Sequence, residues 1–388
     1  MGTAEVTFEF AAPPRILFGE GRLRDVAPIA ATLGTRALIV EGRSSRAGAF
    51  GAALVEHGLT ATTVRVEHEP TTTLIERLVA EARADRCDVV IALGGGSVLD
   101  AGKAIAALLT NTEPLLDYLE VVGKGRPLTS RPVPFIAIPT TAGTGAEVTR
   151  NAVLMVEEAR VKVSLRSPLM IPTVAVIDPT LTYTLPPDVT ASTGTDALTQ
   201  CIEPFVAPQA NPLSDAVARE GMRRAAGALA RAYRDGSDKD ARRDMALASL
   251  CSGLALANAK LGAVHGFAAP LCGMFPIPHG VACARLLSPV VDANLRALRS
   301  RAPESPALPR YAEVARLITG DVDATADDGA TWLHALADEL SVPGFGTFGM
   351  TESAIPRVAS EARRASSMQG NPIVLTDDEL AGILRAAL

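Results

Sequence analysis

Three consecutive glycines, Gly94-Gly95-Gly96, followed by Ser97 and then Asp100, stand between the apolar run Asp88 to Leu93 and a helical pattern from Val98 to Leu109. A tight glycine turn from a buried strand into a helix lets backbone N–H groups close on a phosphate, and the helix dipole favours the negative charge. The spacing is not Gly-x-Gly-x-x-Gly, so this is not the ordinary Rossmann fingerprint. A second polar segment, Pro139-Thr140-Thr141-Ala142-Gly143-Thr144-Gly145-Ala146-Glu147, follows the apolar run Phe135 to Ile138. Ligands of open α/β sheets lie at the carboxyl ends of the strands, where threonine hydroxyls suit a nucleotide's ribose and phosphates. Taken as a turn alone, the glycine segment needs no ligand. The pair of loops predicts a dinucleotide site built from Gly94, Gly95, Gly96, Ser97, Asp100, Thr140, Thr141 and Thr144.

Both loops require a sheet beneath them, and the first half of the chain supplies its pattern. Strands are expected at Arg36–Glu41, Thr62–Val66, Asp88–Leu93 and Phe135–Ile138, with helices at Ala47–Glu56, Thr73–Asp85 and Val98–Leu109. Near-continuous apolar strands alternating with helices imply a parallel, Rossmann-like α/β sheet covered on both faces. After residue 182 the texture is helical: the pattern runs from Pro186-Pro187 to Ala232, then over 240–261, 278–298, 309–318, 327–340, 351–365 and 376–388. The last segment opens on Thr376-Asp-Asp-Glu379, a capping box. Two domains are expected, an α/β dinucleotide-binding domain over 1–182 and an all-α catalytic domain over 183–388.

The 388 residues carry 37 basic and 43 acidic side chains, a net charge of −6 with no basic stripe, which argues against nucleic acid or an anionic membrane as partner. Met1 to Phe10 lacks a signal-peptide pattern and no charge-free run has spanning length, so a cytoplasmic protein is expected. Five scattered cysteines, Cys87, Cys201, Cys251, Cys272 and Cys283, read as buried thiols rather than as disulfides or a thiolate zinc site.

The two loops together resemble the iron-containing (group III) alcohol dehydrogenase family, as do Phe18-Gly-Glu-Gly21, the 172–179 segment, Thr193-Gly-Thr-Asp-Ala-Leu198, Gly262-Ala-Val-His265 and Asn371-Pro372. The resemblance covers essentially the whole chain. It implies hydride transfer between NAD or NADP and a small alcohol or aldehyde in a cleft between the domains, Lys162 near the cofactor ribose, and a homodimer. It also implies a divalent ion, Fe or Zn, held in the family by one Asp and three His. The corresponding set here is Asp196, Gln200, His265 and His279: a glutamine replaces one imidazole, and Ala269 stands where the family has a further histidine. An amide oxygen is a neutral and weaker ligand than imidazole, so the chain reads as a divergent member.

Three readings follow. In the first, the ion assists a dehydrogenase as a Lewis acid. In the second, His265 or His279 acts as general acid in a metal-independent reductase resembling the maleylacetate reductases. In the third, the chain binds nucleotide without catalysing. Gly42 occupies a position where NAD-preferring relatives carry Asp, and with Arg43, Ser44, Ser45 and Arg46 it tilts the expectation slightly to NADP, unless Glu41 turns inward. Thr195, Phe205, Phe267 and Arg150 are expected around the substrate.

Overall fold

The computed structural model describes residues 6–43, 47–159 and 161–388. The chain runs β1 (Ile16–Phe18), α1 (Val26–Ala31), β2 (Arg36–Glu41), α2 (Ala47–Glu56), β3 (Thr60–Arg65), α3 (Thr72–Ala84), β4 (Val89–Gly94), α4 (Gly96–Thr110), α5 (Leu115–Tyr118) and β5 (Phe135–Pro139). A hairpin follows, β6 (Asn151–Val156) and β7 (Val161–Arg166), and then β8 (Val174–Ile177). The remainder is helical: α6 (Pro187–Val206), α7 (Pro212–Arg234), α8 (Lys239–Asn258), α9 (Ala263–Met274), α10 (His279–Arg301), α11 (Ala307–Thr319), α12 (Ala326–Glu339), α13 (Ile355–Arg364) and α14 (Asp377–Ala387).

Six strands form one parallel sheet in the order β1-β8-β5-β4-β2-β3. Alternation along each strand explains the apolar runs. Leu38, Val40, Val90, Ala92, Phe135 and Ala137 pack on one face with the residues of α3 and α4. Their neighbours Ala37, Ile39, Val89, Ile91, Ile136 and Ile138 pack on the other face with α1 and α2. With both faces covered, each fully buried Val, Ile or Leu contributes roughly 1.5–3 kcal/mol of burial free energy.

The helices pack around one core running from Ala191 in α6 to Ala387 in α14. The two parts meet where Ala175 and Ile177 of β8 contact Ala246 and Leu250 of α8. At the same seam Gly145 adopts φ +61, and a Cβ there would lie 2.3 Å from the Gly253 Cα of α8. Only glycine allows that loop to lie against the helix.

Several boundaries differ from expectation. The helix expected to reach Leu261 stops at Asn258, whose side chain donates to the carbonyl of Ala11 (2.8 Å) and accepts from its N–H (2.5 Å). The next helix, α9, is absent from the sequence reading because it contains Pro270 and is apolar on nearly every side, which erases the amphipathic period. The β6–β7 hairpin, the edge strand β1 and its neighbour β8 also escape it. The expected cap of α14 forms, with the Glu379 N–H donating to Thr376 Oγ1 at 3.2 Å. No single helix among the described residues is long and apolar enough to cross a membrane.

Candidate active site

Residues β4 and β5 are neighbours in register, Gly94 opposite Pro139, so the two polar loops leave the sheet side by side. The Thr140 N–H donates to the Gly94 carbonyl at 3.0 Å. A Cβ on Gly96 would come within 2.8 Å of Thr144 Cγ2, and one on Gly95 within 3.4 Å of Thr141. The glycines thus let the threonine loop lie against the start of α4. That helix begins at Gly96, two residues earlier than expected, with Gly95 as its N-cap and no side-chain cap. Ser97 therefore does not cap the helix; it lines a cleft of about 740 Å3 together with Gly96, Asp100 and Thr144.

Behind the loop lies a buried ionic cluster. Lys103 is fully buried, donating to Thr149 Oγ1 at 2.9 Å and to the Asn151 carbonyl, with Asp100 Oδ1 at 3.4 Å. It ties α4 to the hairpin rather than facing the cleft. Asp100 accepts from the Val153 N–H at 3.0 Å, so its carboxylate also anchors β6 while it borders the cleft. Burial pushes Glu147 up from 4.5 to about 7, against its own backbone hydrogen bond and the Lys103 charge. A carboxyl that gains a proton on folding contributes stability below its unfolded pKa and loses it as pH rises through the folded value. Glu147→Gln should therefore leave stability near pH 4.5 almost unchanged and raise it at pH 8 by up to about 3 kcal/mol. Denaturant unfolding at both pH values checks this.

A second constellation comes from three helices. Asp196, Gln200 and Glu203 share one face of α6, His265 lies in the first turn of α9, and His279 opens α10, with Cys283 one turn later. Asp196 Oδ1 is 3.3 Å from His265 Nε2 and 3.7 Å from His279 Nε2. Cys283 Sγ is 3.8 Å from His265 Nε2 and 3.6 Å from His279 Nε2. The nearest donor atoms of Asp196, His265, His279 and Cys283 all lie within 4.8 Å of one another. Asp196 Oδ1 is buried and has no hydrogen-bond partner among the described residues. Such an atom is costly to bury unless something positive sits beside it. The donor set of carboxylate, two imidazoles and thiol therefore fits a divalent cation.

Glu203, absent from the sequence reading, holds this group in place. Its Oε2 accepts from His265 Nδ1 at 2.6 Å and its Oε1 from the Val264 N–H at 2.7 Å. With the proton on Nδ1, Nε2 presents its lone pair to Asp196 and His279. The signal was available: Asp196, Gln200 and Glu203 stand at i, i+4 and i+7. The start of α9 is held as well, because Asn371 Oδ1 accepts from the Ala263 N–H at 3.3 Å and pairs with buried Asn294. Burial opposes ionisation of Asp196, but His279 and His265 hold its carboxyl below the usual value. Burial likewise opposes a charged His265, yet Cys283, Glu203 and Asp196 raise it well above the ordinary imidazole range, so an ion that takes the Nε2 lone pair displaces a proton from it. At His279 burial prevails and lowers the value, while Cys283 is pushed up chiefly by burial.

Of the expected residues, Gly96, Ser97, Asp100, Thr144, Lys162, Gln200, His265 and His279 line the one cleft. Gly94, Gly95, Thr140, Thr141 and Gly42 are not part of that lining, and Asp196 is buried beside it. Gln200 Oε1 accepts from Ser252 Oγ at 3.1 Å. Lys162 pairs with Glu69 at 2.5 Å. Three substrate-pocket expectations are corrected. Phe205 and Phe267 belong to the helical core, where Arg310 and Arg219 stack on Phe205, and buried Thr195 donates to the Ala191 carbonyl. Only Arg150 of that group lines the cleft. All five cysteines are buried and free, but Cys283 stands inside the donor cluster rather than in plain core.

The family profile for iron-containing alcohol dehydrogenase matches residues 13–179, and the profile for the C-terminal part of the Fe-containing alcohol dehydrogenase family matches 190–388. The chain belongs to the iron-containing alcohol dehydrogenase family. Among curated relatives, 1,3-propanediol dehydrogenase of Klebsiella pneumoniae is 35% identical over 98% of both chains. A crystal structure of 1,3-propanediol oxidoreductase superposes with a TM-score of 0.91 at 33% identity, covering 98% of this chain and 100% of the other. The sulfoacetaldehyde reductase of Bifidobacterium kashiwanohense, solved with NAD+, gives 0.87 at 30% identity over 99% of each chain. The protein is accordingly an NAD(P)-dependent oxidoreductase of CH–OH groups with an α/β dinucleotide-binding part and a helical part.

Proposed function

We propose that this family member interconverts small primary alcohols and aldehydes in the cleft between Gly96–Ser97 and His265–His279, using NADP(H) in preference to NAD(H). The observation that carries the reading is that one cavity joins the phosphate-type loop to the Asp196–His265–His279 cluster. In this reading Gly94, Gly95, Gly96 and Ser97 offer backbone N–H groups and a hydroxyl to the pyrophosphate, while Thr140, Thr141 and Thr144 support that loop. Asp100 braces the loop against the hairpin, and Lys162 reaches the ribose side of the cleft. Nicotinamide supplies the hydride acceptor or donor, and a divalent ion at Asp196, His265 and His279 supplies a Lewis acid for the substrate oxygen. Gln200 borders that position.

The NADP preference rests on the end of β2. Glu41 Oε1 accepts from Arg65 Nε of β3 at 2.9 Å, which engages the acid that would otherwise repel a 2′-phosphate. A Cβ on Gly42 would press on Val98 Cγ2 at 3.3 Å, so an acidic side chain at that position needs the helix to give way. Arg43 sits 3.2 Å from His68 Nδ1 on the exposed side. Ser44, Ser45 and Arg46, which completed the expected phosphate-binding group, lie outside the described residues. Domain limits of 1–182 and 183–388 and a homodimer belong to the same reading.

The test separates cofactor from ion. Fluorescence titration should show NADPH bound more tightly than NADH. Exhaustive chelation should then lower reduction of a short-chain aldehyde panel at least 100-fold, restored by Zn2+ or Fe2+, with NADPH binding unchanged. Full turnover by demonstrably metal-free protein would overturn the ion-assisted reading. It would make His279, the more exposed imidazole, the proton donor.

A further inference from the structure

We infer that Cys283 is a ligand of the divalent ion, so that the centre is a zinc site of one carboxylate, two imidazoles and one thiolate, with Gln200 left to shape the wall. The inference rests on the proposed ion-assisted function and names the donor that completes it. In a tetrahedral site each edge is about 1.6 times the metal–ligand bond, giving about 3.4 Å between nitrogen and oxygen donors and about 3.6 Å between nitrogen and sulfur. The corresponding separations here are 3.3 and 3.7 Å from Asp196 Oδ1 to the two imidazole nitrogens. From Cys283 Sγ to the same nitrogens they are 3.8 and 3.6 Å. Four edges of the donor polyhedron therefore stand near coordination distance in the protein itself, and the substrate oxygen of the proposed reaction would join as a fifth ligand from the cleft side.

The second observation is independent of the thiol. Asp196 Oδ1, buried and without a hydrogen-bond partner among the described residues, is directed at the same small space. Glu203 fixes the His265 tautomer so that Nε2 faces that space. Gln200 offers a weaker donor, and its Oε1 already accepts from Ser252. Cys283 follows His279 by one helical turn, so α10 delivers imidazole and sulfur to the same side of the site. Thiolate in the set suits Zn2+, a borderline-soft ion, better than a purely oxygen and nitrogen site would. On binding, the sulfur–metal bond forms as the S–H bond breaks and its proton leaves to solvent.

X-ray absorption at the zinc edge of the full-length protein, loaded with one equivalent of Zn2+, tests this without a variant. The expected result is one sulfur neighbour at about 2.3 Å among nitrogen and oxygen neighbours at about 2.0–2.1 Å. Cys283→Ser should abolish the sulfur shell and weaken zinc binding at least tenfold. Cys272→Ser, at the thiol that lines the cleft, should change neither. Zinc bound with nitrogen and oxygen neighbours alone would overturn the thiolate ligand and leave the ion-assisted reading standing. Failure to retain zinc at all, with NADPH still bound, would overturn both.

Discussion

Asp196→Asn should lower turnover in both directions by on the order of 10³-fold, equivalent to about 4 kcal/mol of lost transition-state stabilisation. The substitution preserves shape, so no cavity opens at a residue that is 1% exposed. What changes is charge. The carboxylate oxygen 3.3 Å from His265 Nε2 and 3.7 Å from His279 Nε2 is the only anionic donor among the oxygen and nitrogen atoms of the cluster. An amide in its place presents either a neutral oxygen or an N–H group that repels a cation. Metal content of the purified variant should fall in step with turnover. NADPH affinity should stay within about twofold of wild type, because the phosphate-type loop belongs to the sheet and Asp196 to α6. Wild-type turnover in a metal-free Asp196→Asn protein would remove the ion from the reaction altogether.

Glu203→Gln has the second largest expected effect, and it acts through His265 rather than on substrate. The glutamate takes two donated hydrogen bonds, from His265 Nδ1 at 2.6 Å and the Val264 N–H at 2.7 Å. A glutamine has one oxygen to offer. If it keeps the backbone N–H, its amide must donate to Nδ1, which moves the imidazole proton onto Nε2 and points it into the cluster. Loss of such a supporting carboxylate typically weakens metal affinity about 10- to 100-fold. Equilibrium dialysis should show that loss, with NADPH affinity unaltered. Turnover at saturating Zn2+ should recover in part, which a general loss of structure would not allow. Unchanged metal affinity would show that the tautomer is held by something other than Glu203.

The legible parts of the fold are those where one period governs a long segment. β2, β4 and β5 read clearly because both faces of each are covered, and helices α3, α4 and α11 to α14 read within a few residues of their observed limits. The three-residue strand β1 and four-residue β8 are too short to carry a period. The β6–β7 hairpin draws its partners from α4 and the 69–71 segment, contacts distant in sequence. In α9, Pro270 and burial on nearly every side remove the helical signature that places His265.

The candidate site divides along the same line. Asp196, His265 and His279 were identified by motif, and the structure brings their donor atoms together. Glu203 and Cys283 belong to the same cluster, yet each looks ordinary where it stands, an acid within a helix and a thiol among apolar residues. Spacing on one helix relates Glu203 to Asp196, or Cys283 to His279. It cannot relate α6 to α9 and α10, since that depends on packing between helices some 60 to 80 residues apart.

By itself, the amino-acid sequence determined the parallel sheet, the glycine and threonine loops at adjacent strand ends, and the helical second half. Backbone sterics, alternating burial and local hydrogen bonding act over a few residues, and those forces are written in short patterns. Only the tertiary structure decided that Lys103 braces the hairpin, that Phe205 and Phe267 are core, and that Cys283 faces two imidazoles. Such assignments depend on which distant surfaces share a close-packed interior, where the position of a donor atom is set by every helix around it.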